Sequence, residues 1–357
     1  VGIQLNTALC GIFNIRYPIF LAGMAGLPGV KLAAAVSNAG GLGSLGAAYM
    51  TPEAIRGAIR ELRQLTQAPF AVNLFSTPFV DDNARIKEVQ RELNKIRDEL
   101  GMKHASDEEV STPNRFEEQV AVLLEEQVPV ISTAFGLLPE KFIQQSLSAG
   151  IRIVTMVTTV NEAIMAEQAG CDAIVAQGSE AGGHRGTFDL SNHPMGANIG
   201  VIALVPQIVD RVKIPVIAAG GFMDGRGLVA ALALGAQGVQ MGTRFLTAYE
   251  SGAHEAYKDA LLGSTEESTV ITKVFSGRPA RGIVNKFMKH WDESKVQPLP
   301  FPTQNSITRD IRNAASDQAN TEYMSLWAGQ GTRMLTDRQK AEEIMSDILQ
   351  QAHSILQ

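Results

Sequence analysis

Along the chain, continuous apolar runs of strand length alternate with stretches whose apolar residues recur at helical spacing. The strand-length runs cover residues 19–23, 41–45, 69–75, 130–135, 151–157, 173–177, 215–218 and 238–241. Between them the pattern predicts helices over 29–38, 139–147, 160–168, 200–212 and 224–234. Another helix opens at Thr51-Pro52-Glu53, which supplies an N-cap, a proline at the first position and an acid in the first turn. The strand runs do not alternate polar with apolar, as expected when both faces of a sheet are covered. Eight such βα repeats through about residue 247 predict an α/β fold, a parallel TIM (β/α)8 barrel. A doubly wound sheet accounts less well for the count and for the glycine loops that recur at strand C-termini.

Two departures from this rhythm set the domain plan. Residues 81–100 and 107–126 are charged and helical in pattern, and read as an insertion at about 80–126 within a barrel domain of 1–247. From 248 to 322 the βα period is lost, charge rises and prolines scatter, which suggests a smaller mixed or helical cap beside the substrate. Residues 323–357 then return to the barrel. They end in an amphipathic helix over 336–357, whose Ile344, Ile348 and Ile355 form an apolar stripe for packing.

Composition narrows the function classes. The chain has 357 residues, 45% of them hydrophobic, and a net charge of −6, with no basic block for nucleic acid or an anionic membrane. Cys10 and Cys171 are its two cysteines, too few and too far apart for a disulfide framework or a metal site, so a reducing cytoplasm is expected. The N-terminal residues lack the pattern of a signal peptide, and the apolar stretch 228–241 is too short to span a bilayer. No His pair has metal-ligand spacing with an acid, so no catalytic metal is expected. A monomer or homodimer fits equally.

The candidate chemistry lies in loops that follow predicted strands, on the face where barrel active sites sit. Ala22-Gly23-Met24-Ala25-Gly26 follows the first strand. Gln177-Gly178-Ser179-Glu180-Ala181-Gly182-Gly183-His184-Arg185-Gly186 follows the sixth, and is too glycine-rich to pack a core. Ala219-Gly220-Gly221 and Gln240-Met241-Gly242-Thr243 follow the last two, where backbone amides and a hydroxyl can cradle a phosphate without a cation. His184 is the candidate general base, or a donor to a developing anion. Asn73 and Gln177 are buried amides that serve either a structural hydrogen bond or the edge of a cofactor ring. The remaining histidines fall in loop or charged segments. Gly41-Leu42-Gly43-Ser44-Leu45-Gly46 has the bare dinucleotide-binding spacing, but it reads as the strand itself.

Taken together, these motifs resemble the nitronate monooxygenase family. The resemblance runs from Pro18-Ile19-Phe20-Leu21-Ala22-Gly23-Met24-Ala25-Gly26 through Ala176–His184, Ala218–Gly221 and Gln240–Phe245 to Ser325-Leu326-Trp327-Ala328-Gly329-Gln330-Gly331. It implies a TIM barrel with a smaller second domain and noncovalently bound FMN. Ala22, Gly23, Met24, Asn73, Gln177, Gly182, Gly220, Gly221, Gln240, Met241, Gly242 and Thr243 would contact the FMN, with His184 facing the flavin. It also implies one-electron oxidation of alkyl nitronates, propionate 3-nitronate above all, by FMN and O2, releasing nitrite, nitrate and a carbonyl compound. Tyr323 and Trp327 are candidate walls of the substrate cavity, and Lys286 and Arg185 are candidate cations for a substrate carboxylate. A nicotinamide-dependent FMN reductase, of the quinone or enoyl-acyl-carrier-protein type, is the competing expectation within the same superfamily. A non-catalytic flavin-binding barrel would need no histidine beside the ring.

Overall fold

A computed structural model describes residues 2–357. The strands are β1 (Ile19–Leu21), β2 (Gly43–Gly46), β3 (Phe70–Phe75), β4 (Val130–Ala134), β5 (Arg152–Val157), β6 (Ala173–Gln177), β7 (Gly183–His184), β8 (Val216–Ala219), β9 (Gly238–Met241), β10 (Thr269–Thr272) and β11 (Ala280–Ile283). Eight of them pair in the order β1-β9-β8-β6-β5-β4-β3-β2, every pairing parallel. A parallel bridge between Phe20 and Leu42, just before β2, brings the two ends of the sheet together. This is the expected TIM barrel.

The side-chain alternation of each strand divides the core in two. Phe20, Ala71, Val130, Val154, Val175 and Ile217 belong to one buried cluster that also contains Leu9, Cys10 and Phe13 of the N-terminal helix Ala8–Phe13. Their neighbours Ile19, Leu21, Val72, Ile131, Ile153, Ile174 and Val216 meet the surrounding helices. The final helix, Ala341–Leu356, joins that outer layer through Ile344, Met345, Ile348 and Leu349, so its apolar stripe packs on the barrel.

A second apolar cluster lies beyond the barrel. It combines Phe275, Phe287, Trp291 and Leu326 with Ile86, Val89, Leu93 and Ile96 from helix Ile86–Glu99 of the insertion. Arg97, 1% exposed, ties the two stretches together. Its guanidinium donates to Asp310 at 2.8 and 3.2 Å, to Gln90 Oε1 at 2.8 Å and to the Ile307 carbonyl at 2.9 Å. The antiparallel sheet β10-β11-β7 also belongs to this outer region, yet it takes β7 from the loop after β6.

The expected helix over 107–126 is only partly present. Helix Phe116–Glu125 forms, while 102–115 is irregular. The polar stretch before Pro113 buries little, and other side chains take its backbone groups. Asn83 bonds both the N–H and the carbonyl of Val110 at 3.0 Å, and Asp81 accepts from the Thr112 N–H and hydroxyl. Among the described residues no helix is long and apolar enough to cross a membrane.

Candidate active site

A cavity of about 540 Å³ opens at the C-terminal end of the barrel strands, beneath the second cluster. Ala22, Gly23, Met24, Asn73, Gln177, Gly182, His184, Gly220, Gly221, Gln240, Met241, Gly242, Thr243 and Trp327 all line it. A second, open depression of about 550 Å³ lies around Asn14, Ser37 and Pro69, before the strands begin, at the barrel end opposite the expected chemistry.

The glycines after β8 and β9 leave room for a ligand to approach the backbone. Gly220 and Gly221 have φ of 116° and 76°, in the region that favours glycine, so their amides turn away from an ordinary helical or strand direction. Gly182 is equally constrained by packing, because a Cβ there would lie 2.4 Å from the Gly329 nitrogen. Thr243 Oγ1 accepts from that same Gly329 N–H at 3.0 Å, joining the loop after β9 to the C-terminal segment. A backbone-lined cradle without a cation suits a phosphate group.

The loop that carries His184 is held rigidly. Gln177 uses its side chain on the loop itself, donating to the His184 carbonyl at 2.9 Å and accepting from the Gly186 N–H at 2.8 Å. Asn73 donates to Ser132 Oγ at 3.0 Å. Arg185 is fully buried, and donates to the carbonyls of Gln177, Gly178 and Ala197 at 2.7–3.1 Å. It fastens the loop and does not line the cavity, which corrects its expected place as a substrate cation. Pairing of His184 with Ala280 in β7–β11 completes the anchorage.

The His184 ring lies among aromatic side chains. Phe75, Phe135 and Trp327 have ring centroids 5.9, 5.6 and 5.4 Å from it. Its Nε2 is 2.9 Å from Ser276 Oγ, which also lies 3.1 Å from the Arg278 carbonyl oxygen. A neutral ring whose Nε2 donates to Ser276 keeps its lone pair on Nδ1. Burial, and then the positive charges of Arg278 and Arg312, push the imidazole pKa down to about 3. The ring is thus neutral at physiological pH, and its accessible surface faces the cavity. The near-neutral titration expected of it is displaced because the ring is buried and faces two positive charges.

Three other expectations change. Tyr323 is 4% exposed in the second cluster, its hydroxyl bonded to Glu99, and it does not reach the cavity. The apolar core around it captures the ring, and the insertion helix supplies the polar partner. Lys286 pairs with that same Glu99, with its ammonium 5.7 Å from the Tyr323 ring, and also lies outside the cavity. His254, one of the histidines read as lying in a charged segment, lines the cavity and caps the next helix through Nδ1, 3.1 Å from the Ala256 nitrogen.

Tyr49, Ser276 and Arg312 were not found from sequence, yet they line the cavity. Tyr49 follows β2 at the active end of the barrel, so its position carried a usable signal. Arg312 lies in helix Arg309–Asp317, whose charged pattern reads as a solvated face. Nothing local marks it.

Fold and site together define a TIM-barrel enzyme with a phosphate-type cradle and a neutral histidine in an aromatic cavity. A family model for nitronate monooxygenase matches residues 6–351. A probable nitronate monooxygenase of Staphylococcus saprophyticus is 41% identical, covering 99% of each chain, and one of Staphylococcus aureus is 43% identical, covering 98% of each. Among solved structures, a nitroalkane oxidase from Streptomyces ansochromogenes superposes with a TM-score of 0.87 at 36% identity, covering 98% of this chain and all of that one. FabK from Thermotoga maritima superposes with a TM-score of 0.79 at 32% identity, covering 99% of this chain and 98% of its own. The chain belongs to the nitronate monooxygenase family, a family of oxidoreductases.

Proposed function

We propose that this chain is a cytoplasmic enzyme that oxidises alkyl nitronates with O2, using FMN, and so detoxifies nitro compounds. Propionate 3-nitronate is the substrate we favour, giving a carbonyl product with nitrite or nitrate. The observation that carries this reading is the neutral His184 in an aromatic cavity whose lining contains no carboxylate. An anionic substrate meets no repulsion there.

The glycines after β8 and β9 would hold the FMN phosphate, with Ala22, Gly23, Met24, Asn73, Gln177, Gly182, Gln240, Met241 and Thr243 around the rest of the cofactor. Flavin bound there supplies the electron acceptor and the reactivity toward O2. The protein's own groups position the nitronate. His184 Nδ1 takes the α-proton when a neutral nitroalkane enters, and Ser276 holds the ring through Nε2. With a preformed nitronate no proton need move, and His184 orients the anion. Phe75, Phe135 and Trp327 keep water from the reacting carbon.

The likeness to FabK keeps a nicotinamide-dependent reductase as the second reading. Oxygen uptake by the flavin-loaded protein separates the two. Rapid uptake with propionate 3-nitronate, nitrite release and no NADH oxidation is the expected result. NADH consumption with an inert nitronate would overturn the proposal.

A further inference from the structure

The cavity lining contains one permanently charged side chain, Arg312. The buried arginines are committed elsewhere, Arg97 to Asp310, Gln90 and the Ile307 carbonyl. Arg185 fastens the loop after β6, Arg278 bonds the Thr187 carbonyl and covers the Phe135 ring at 3.9 Å, and Arg281 donates to Ser179 O and Thr269. None of these three lines the cavity.

Among the described residues Arg312 shares an unpartnered Nε with Arg185 and Arg278, but alone of them it reaches the cavity. Its Nη2 donates to the carbonyl and the side-chain oxygen of Asn305 at 2.7 and 3.0 Å, and its Nε has no partner among the described residues. No carboxylate pairs with it, because neighbouring Asp310 is held by Arg97. A guanidinium held out of water without a counter-ion is costly, and an anion in the cavity would relieve that cost. Tyr49, on the same cavity, also has a hydroxyl without a hydrogen-bond partner among the described residues. Burial pushes its pKa up to about 12, so it remains a donor at any working pH. One ring separates Tyr49 from the histidine: Phe75 stands 5.4 Å from Tyr49 and 5.9 Å from His184, centroid to centroid, and the charge of Arg312 acts on both Tyr49 and His184. The glycine cradle, after β9 and β8, is separated from Tyr49 after β2 by β1 in the strand order.

We infer that Arg312 and Tyr49 form an anion subsite that takes the carboxylate of a short nitronate whose reacting end lies at His184. The inference rests on the nitronate reading and extends it. It assigns recognition of the carboxylate of the favoured substrate to Arg312 and Tyr49, with Asn305 as the positioning residue for the guanidinium.

The test compares kcat/KM for propionate 3-nitronate and butyl 1-nitronate in the flavin-loaded enzyme. Calorimetric binding of 3-nitropropionate without O2 runs in parallel. In Arg312→Gln the preference for the carboxylate-bearing substrate should fall about 10- to 100-fold, with 3-nitropropionate binding weakened to match. Arg312→Lys should recover part of both. In Tyr49→Phe, which keeps the ring, the preference should fall about 3- to 10-fold. Equal loss on both substrates in these variants, or loss of flavin absorbance in Arg312→Gln, would overturn the subsite. Wild-type protein that oxidises neither nitronate but binds 3-nitropropionate through Arg312 would sink the nitronate reading and leave the subsite standing. Binding indifferent to Arg312 would remove the subsite alone.

Discussion

At the β8–β9 end of the cavity the wall is largely main chain, shaped by Gly220, Gly221, Gly242 and the close approach of Gly182 to Gly329. At the β2–β3 end it is side chains: Tyr49 and Phe75 from the barrel, Ser276, Arg312 and Trp327 from the outer region. The first end needs only short backbone segments in the right conformation. The second exists only while the outer region stays docked, because its parts come from segments far apart in the chain. If the proposed function holds, substitutions should separate a cofactor-holding half from a substrate-selecting half.

The largest effect is expected where the halves meet. His184→Asn should lower turnover of a neutral nitroalkane about 10²- to 10⁴-fold, and of a preformed nitronate much less. Equal losses in steady-state assays would deny His184 its role as base. Next, Arg97→Met removes a buried guanidinium that joins the insertion helix to the segment carrying Arg312. It should cost about 3 kcal/mol in urea unfolding and loosen the side-chain half. Flavin absorbance should survive while the substrate preference weakens; joint loss of both would show the halves to be one unit.

Gly182→Ala attacks the backbone half. The new Cβ, 2.4 Å from the Gly329 nitrogen, should cost about 1–3 kcal/mol and reduce flavin retention. Unchanged retention on gel filtration would mean that the cradle yields to a methyl group.

The smallest effect is a pH dependence of stability. The unfolded His184 takes up a proton near its ordinary value of 6.5, whereas the folded one resists until about pH 3. Its contribution is complete above about 6.5 and is lost as pH falls toward 3. Urea midpoints at pH 7 and pH 5 should therefore differ less in His184→Asn than in the parent protein.

The barrel strands were legible because buried parallel strands are continuous apolar runs, and the run at 173–177 coincides with β6. The backbone half was legible for a related reason: glycine at the end of a strand reports a local conformational need. Residues 107–115 were misread because their hydrogen bonds go to Asn83 and Asp81, partners that helical pattern does not reveal. Tyr323 was placed at the cavity by its neighbourhood in the chain, yet its ring belongs to the apolar cluster above the barrel.

What the sequence determined by itself was local: eight strands, the glycine turns after them, and a histidine in a loop with no core to pack. Periodicity and backbone conformation act over a few residues, so their causes are written in a few residues. The tertiary structure alone decided which charge enters the cavity. Arg185, beside the histidine, turns inward to loop carbonyls, while Arg312 arrives on a helix braced by Arg97. A side chain's charge is fixed by its chemistry, but the groups left free to use it depend on every partner that folding brings within reach.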